Sequence, residues 1–423
     1  MHTVVVGAGI VGLAAAWELL EAGSDVTLLD PAPIGSDASA SYGNGSMISP
    51  AFMIPVSNPG LWRKVPGFLL GRDSPMSVRA VDFARLSTWA INFVLAGATE
   101  ARLRGLAAAL APLTRGAPAL HEAFSRAIGR PDLVQRGPLH YLYPHEEALE
   151  GDHLAWQLRE HFGVEKRLVT QAELRCAVPN SPVGYKLGIV VPDSGFCNDT
   201  SGYSKAIWKQ LASRGATWMQ EAATGFQVEN GRVVGVETSK GRLRCDSVVI
   251  AAGHASVKLA AALGDRVPLK VERGYSLQYR ENPTGLDSPL MLPDKRIAIT
   301  PNHLGVRVAG QVELAHPDAP PNWDHIRILH KRATEAYPEL APHLQTAERW
   351  MGRRPSMSDC KPVIGLSSGA SNAIYAFGHA HIGLTTAPRT ARIVVALMKG
   401  TDPEIPVRPF SPRRFRRTSA MDA

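Results

Sequence analysis

Apolar positions change period along this chain, and the changes mark out its elements. Val4-Val5-Val6 is an unbroken apolar run of the kind that forms a strand buried on both faces. It leads into Gly7-Ala8-Gly9-Ile10-Val11-Gly12, and a run through Trp17, Leu19 and Leu20 then predicts a helix stopped at Gly23. Val26-Thr27-Leu28-Leu29 predicts a second strand, ending in Asp30. Residues 77–127 are mostly helical in period and 137–144 alternate as a strand. Helical patterns return over 146–162 and 171–176, and 190–204 reads as a loop. A helix over 203–213 and a strand over 215–221 precede Asn230-Gly231, a strong type I′ hairpin signal between two apolar runs. Residues 246–253 form another apolar strand, ending in Ala251-Ala252-Gly253. Stretches 268–301 and 304–312 alternate like antiparallel strands, and 325–337 is a helix closed by Pro338. Ala373 to Gly378 is a last strand, followed by a helix to about Met398.

The first of these units has a chemical reading. In a strand, glycine turn, helix and second strand, Gly7 permits the tight turn and Gly9 lets a pyrophosphate approach the backbone. Gly12 lets the helix pack against the strand. The first turn of the helix, from Ile10 and Val11, offers amide groups and a positive dipole end to phosphates. Asp30 stands where a carboxylate accepts from a ribose 2′-hydroxyl. The context marks a dinucleotide site without separating NAD from FAD. Ser41, Asn44 and Gly45 lie in a loop of small and hydroxylated residues just beyond the acid, suited to close ligand contact.

Composition narrows the class. The chain has 423 residues, 45% hydrophobic and 20% charged, enough for two domains and a sizeable core. Cys176, Cys197, Cys245 and Cys360 form no C-x-x-C pair, which argues against a zinc site or disulfide framework. No apolar run approaches the ~18 residues a membrane span needs. The chain enters its first strand directly, so an unexported, cytoplasmic protein is expected. The net charge of +8 is partly held in Arg413-Arg414-Phe415-Arg416-Arg417. That tail reads as a solvated terminus, or as a peripheral contact with anionic lipid on the inner membrane face. A mixed apolar and basic stretch with Trp62, Arg63, Lys64, Phe68, Leu69, Leu70 and Arg72 admits the same two readings. No nucleic-acid module accompanies the arginines.

Longer motifs carry a resemblance. Ser41-Tyr42-Gly43-Asn44-Gly45-Ser46 is similar to an S-x-x-N-x-G stretch, and Arg273-Gly274-Tyr275-Ser276 to a strand near the substrate. Gly352-Arg353-Arg354-Pro355 with Asp359 and Pro362-Val363-Ile364-Gly365 fits G-x-R-P…D-x-x-P-x-I-G. Gly378-His379-Ala380-His381-Ile382-Gly383-Leu384-Thr385 fits G-H-x-H-x-G-L-T. In these the chain resembles flavin-dependent amino-acid oxidoreductases of the D-amino-acid oxidase type, and most of all the bacterial D-amino-acid dehydrogenase branch.

The resemblance implies an α/β fold: a discontinuous Rossmann-like FAD domain (1–78, 190–265, 346–405) and a substrate domain on an antiparallel sheet (79–189, 266–345), with a basic tail over 406–423. It implies FAD, non-covalent because the attachment cysteine of some relatives is replaced near Gly352. Expected cofactor contacts are Gly7, Gly9, Ile10, Val11, Gly12, Asp30, Ser41, Asn44, Gly45, Ala223, Ala252, Gly253, Gly378, Gly383, Leu384 and Thr385. The expected reaction is oxidation of a D-amino acid, including cyclic ones such as D-hydroxyproline or D-proline, by hydride transfer to the flavin. Electrons would pass to a quinone or other acceptor. The alternatives are an oxygen-using oxidase of glycine, sarcosine or another N-substituted amino acid, and a flavin-bearing subunit without amine chemistry. Arg354 is expected to hold the substrate carboxylate, against a structural ion pair and against the adjacent Arg353. Tyr275 is expected to bond the carboxylate or cap the pocket, against ordinary packing. His379 and His381 are expected beside the flavin, as a positive or donor group.

Overall fold

In a computed structural model of the chain, the structure describes residues 1–63, 67, 74 and 76–416. Lys64, Phe68, Leu69, Leu70, Arg72 and Arg417 lie outside the described residues.

The fold begins with the unbroken apolar strands. His2–Val6 pairs in parallel with Asp25–Leu29 on one side and Ser247–Ile250 on the other. Thr217–Met219 and Ala373–Phe377 extend this parallel sheet, and Val363–Leu366 closes one edge antiparallel. Alternation sends successive residues to opposite faces. Val5, Leu28, Val249 and Ile374 pack against the helices Ile10–Glu21, Thr200–Ser213 and Gly383–Lys399. Val4, Val6, Val248 and Ile250 face a layer that includes Val233 and Val236 of a small sheet, Ala223–Glu229, Arg232–Thr238 and Gly241–Arg244. The turn between its first two strands has φ of 50° at Asn230 and 71° at Gly231, as a type I′ hairpin requires.

A second, nine-stranded sheet runs in the order Glu348–Met357, Leu269–Tyr279, Gly305–Leu314, Ile297–Asn302, Leu290–Leu292, Leu139–Tyr143, Leu187–Val191 and Arg167–Thr170, with Met76–Val78 beside the end of Gly305–Leu314. It departs from the expected antiparallel sheet at two pairs, since Leu290–Leu292 lies parallel to Leu139–Tyr143 and Met76–Val78 parallel to Gly305–Leu314. Alternation in a sequence gives a strand its face but not its neighbour or direction.

Three stretches read from the sequence differ from the strands of the structure. All ten residues of Glu348–Met357 pair with or extend along Leu269–Tyr279, so a cut at 346 places a substrate-sheet strand in the cofactor unit. Met76–Val78 lies just before the cut at 78 although it pairs with the nine-stranded sheet, and it overlaps the start of the stretch read as helical. The stretch 190–204, read as a loop, contains the strand Gly195–Cys197, which joins Met47–Ile48 and Val134–Arg136. At two or three residues, these strands are too short to show a period.

No helix among the described residues is long and apolar enough to cross a membrane. The basic tail is not free where it is described. Phe410 is completely buried, and Arg414 donates to Asp359 Oδ2 at 2.8 Å and to the Lys361 carbonyl at 2.8 Å. Replacing Phe410 by alanine should therefore cost about 3–5 kcal/mol in urea unfolding, the range for a buried aromatic. A loss under about 1 kcal/mol would show that the segment contributes little to the core.

Candidate functional site

The glycine turn is built by clearance. A Cβ on Gly12 would sit 1.9 Å from the Gly7 carbonyl oxygen, so the helix can dock this close only with hydrogen there. Gly7 has φ of 106°, and a Cβ on it would meet Ala251 O at 2.4 Å. Gly9 differs: the nearest atoms to a Cβ would be the Ser39 and Ser41 hydroxyls at 3.6 and 3.8 Å, leaving its backbone open to a ligand. The Ser41 hydroxyl accepts from Ile10 N at 3.2 Å, tying the following loop to the helix start. Asp30 accepts from Ala8 N at 2.8 Å and Ala32 N at 2.9 Å. Burial pushes its carboxyl up, and these two amides oppose that shift.

The loop beyond Asp30 is held from both sides. Asn44 accepts from Ser46 N at 2.7 Å and donates to Ser41 O at 3.1 Å. Buried Arg307, on a strand of the second sheet, donates to the carbonyls of Tyr42 and Asn44 and to the Ser46 hydroxyl. Thr300 donates to the Gly45 carbonyl at 2.8 Å. Sequence gave no sign of Arg307, because its partners are distant carbonyls.

Between the two sheets lies a cavity of about 1300 Å³. Its wall includes Gly7, Gly9, Ile10, Val11, Asp30, Ser41, Asn44, Gly45, Ala223, Ala252, Gly253, Gly378, Gly383 and Leu384. Gly12 and Thr385 are not on that wall. Gly12 is consumed by packing, and Thr385 is buried near His121, whose ring lies 2.7 Å from the Leu384 carbonyl.

The other end of the cavity is the face of the nine-stranded sheet that carries Glu272, Gly274, Trp350, Gly352 and Arg354. Glu272 pairs with Arg354 and Gly274 with Gly352 across two antiparallel strands. Arg354 lies directly over Gly274, where a Cβ would fall 2.1 Å from its guanidinium carbon. Its Nη1 donates to the Gln311 carbonyl at 3.2 Å, at a residue with φ of 60°. Among the described residues no carboxylate comes within 4 Å of Arg354, which removes the structural ion pair. The surface it leaves bare is cavity wall. Arg353 also reaches the cavity wall, but its Nε is engaged by the Pro317 carbonyl at 2.8 Å.

Tyr275 is a correction. It is not on the cavity wall: its hydroxyl donates to Glu313 at 2.5 Å, accepts from Asn322 N at 3.0 Å, and its ring stacks on His325. As the odd neighbour of Gly274 on a strand, it points to the opposite face. The histidines are a partial correction. Both line the cavity, with Gly378 and Ala380 at φ of 81° and 48° shaping their turn. Burial depresses His379 to about 3 and His381 to about 4, the latter helped by the Arg354 charge. Neither supplies a positive charge near neutral pH. His379 is further tied to the Thr390 hydroxyl at 3.1 Å, while His381 keeps much of its surface bare toward the cavity.

The sequence profile of the FAD dependent oxidoreductase family matches residues 2–397. The chain belongs to this family. It is 37% identical to a D-amino-acid oxidase of Bradyrhizobium diazoefficiens over 98% of this chain and 99% of the relative. It is 31% identical to a D-amino acid dehydrogenase of Paramagnetospirillum magneticum over 95% of each. Glycine oxidase from Geobacillus kaustophilus shares the fold with a TM-score of 0.76 at 18% identity, over 98% of this chain and 99% of that one. The protein is thus an FAD-dependent oxidoreductase, and its residues fit the cofactor. The glycine turn, helix start and Asp30 form one end of a cavity larger than the ~300–1,000 Å³ typical of drug-sized ligands, leaving room for a small substrate as well.

Two outcomes follow. Tyr275→Phe should leave FAD and ligand binding unchanged while lowering stability by about 1–3 kcal/mol, because Glu313 loses a buried donor; a large rise in apparent KM would return Tyr275 to the site. His379 titrates near 3 folded and near its ordinary value of 6.5 unfolded. Its contribution to stability is therefore complete above about 6.5 and is lost as pH falls toward the folded value. His379→Gln should make that decline shallower by up to about 1.4 kcal/mol per pH unit in unfolding curves, whereas an unchanged slope would mean that His379 titrates normally.

Proposed function

We propose that the protein oxidises the C–N bond of a D-amino acid, held by its carboxylate on Arg354, to an imine that hydrolyses to a 2-oxo acid or stays cyclic when the amine is secondary. The observation that carries this reading is the state of Arg354: a guanidinium deep in the protein, one donor on a carbonyl, no carboxylate within 4 Å among the described residues, and its remaining face on the cavity. Leaving a cation so placed is costly unless a ligand supplies the anion. A carboxylate received by two parallel donors fits both the charge and the planar fork. FAD, when bound, supplies the two-electron acceptor.

The rest of the chain orients and encloses. Gly274 clears the space in which the guanidinium lies. Trp350 lies over Gly43 and Gly352, where Cβ atoms would collide with its ring, and its Nε1 donates to Asp37 O at 2.8 Å. His379 and His381, neutral, serve only as uncharged donors or acceptors. None of the four cysteines is on the cavity wall among the described residues, which supports non-covalent FAD.

The D configuration rests on the names of the relatives at 37% and 31% identity. The acceptor divides them. The first is named an oxidase, which favours oxygen; the dehydrogenase names, with the exposed apolar Val56, Trp62, Ile91 and Leu95 on the cavity rim, favour a quinone reached from a membrane surface.

The test is anaerobic titration of the purified yellow protein with D- and L-amino acids, prolines, hydroxyprolines, glycine and sarcosine. Bleaching by D-amino acids alone is expected, and bleaching by none would overturn the reading. Peroxide formed in air then separates oxygen from other acceptors. Arg354→Ala should retain FAD and raise apparent KM about 100-fold or more, the worth of a desolvated charge pair; unchanged kinetics would sink the assignment of the carboxylate to Arg354.

A further inference from the structure

Glu272 is the residue this reading leaves unused. It sits directly across the strand pair from Arg354, two residues from Gly274 on the same face, and it lines the cavity while being only 8% exposed. Residues facing each other across such a pair have Cβ atoms about 4.5–5.5 Å apart. Yet Glu272 and Arg354 do not meet within salt-bridge distance among the described residues. Opposite charges that close in a low-dielectric cavity attract strongly. Their separation leaves a cationic and an anionic group side by side, both facing the space where the substrate enters. The other wall carboxylates are engaged elsewhere: Asp30 by two backbone amides at the cofactor end, and Asp152 by the Tyr143 hydroxyl at 3.0 Å.

We propose that Glu272 receives the α-ammonium group of the amino acid whose carboxylate lies on Arg354, and takes its proton before the C–N bond is oxidised. This rests on the Arg354 reading above. The step balances within the pair: an N–H bond of the ammonium breaks, an O–H bond forms on the Glu272 carboxylate, and the nitrogen keeps the electron pair that it then shares with the α-carbon. Burial raises the Glu272 carboxyl above its usual range, with Arg354 and the Ser356 hydroxyl opposing the shift, which makes it a better proton acceptor than an exposed carboxylate. The other titratable groups facing it among the described residues do not compete. The Cys360 thiol is pushed well up by burial and stays neutral, and His381, depressed to about 4, lies beside Arg354. Arg273, next to Glu272 in the chain, pairs at 3.0 Å with Glu313 of the adjacent strand Gly305–Leu314, in the buried layer that also holds Tyr275.

The experiment compares two ligands on the holoenzyme without oxygen, reading the first by flavin difference spectra and the second by the concentration dependence of flavin reduction. One is a plain monocarboxylate such as cyclohexanecarboxylate, and the other is a D-amino acid that the wild type oxidises, mixed anaerobically. Glu272→Gln should bind the monocarboxylate as well as or better than wild type. It should bind the amino acid about 10- to 100-fold more weakly, the worth of a charge-assisted hydrogen bond. Its flavin-reduction rate should also lose the acid limb of the wild-type pH profile. Glu272→Asp, which keeps the charge, should keep the limb and lose less affinity. If Glu272 is only a counter-charge for Arg354, E272Q tightens both ligands equally and the proposal falls. An aspartate variant matching wild type in affinity, with a glutamine variant matching it in pH profile, overturns it as well. Should Arg354→Ala leave both ligands bound, the carboxylate reading itself fails, a result separate from any obtained at Glu272.

Discussion

A buried guanidinium with no carboxylate within 4 Å of it among the described residues sets the terms for this protein. Taking Arg354 out of water costs several kcal/mol even after relaxation, and one bond to the Gln311 carbonyl offsets only part of that cost. The architecture around it keeps the charge in place and keeps it available. Gly274 makes room beneath it, the ladder between Leu269–Tyr279 and Glu348–Met357 fixes its height, and Gln311 turns its carbonyl inward at a φ few side chains adopt. Collapse of Arg354 onto Glu272 would relieve the charge and occupy the site. On the proposed reading, folding that leaves the two apart reserves their attraction for a ligand carrying both signs.

The parallel layer was legible because each of its requirements is local. Val4 to Val6 declare a strand buried on both faces, Gly7 and Gly12 declare a close helix, and Asn230-Gly231 declare a turn whose two positive φ values then appear. The second sheet was legible only as alternation. Nothing in Glu348–Met357 says that it pairs with a strand some eighty residues earlier, or that Leu290–Leu292 lies parallel to Leu139–Tyr143. Partner choice depends on summed burial across strands distant in sequence, which a local pattern does not carry.

The site divides in the same way. Asp30, Asn44 and Gly45 could be placed from their neighbours in sequence. Tyr275 could not, because a strand residue beside a cavity-facing glycine is turned away from the cavity by the pleat itself. Once Gly274 is seen beneath Arg354, the same alternation places Glu272 inside and Arg273 outside. The charge state of the histidines was equally hidden. Their sequence suggests a positive or donor group, but among the described residues neither ring has a carboxylate to stabilise a proton, so the positive alternative is disfavoured and the donor one stands.

The two sheets act as one site because the loop between them is held from the substrate side. Arg307 and Thr300, both on the nine-stranded sheet, bind the backbone of residues 42–46, while Ser41 at its start receives the amide of Ile10 at the cofactor helix. A shift of the nine-stranded sheet would therefore move the loop that reaches the glycine turn. Such a linkage fixes the distance between Arg354 and the glycine turn, the two ends of the cavity, through the loop alone. In a reaction whose protein contribution is orientation, that fixed distance matters as much as any single contact.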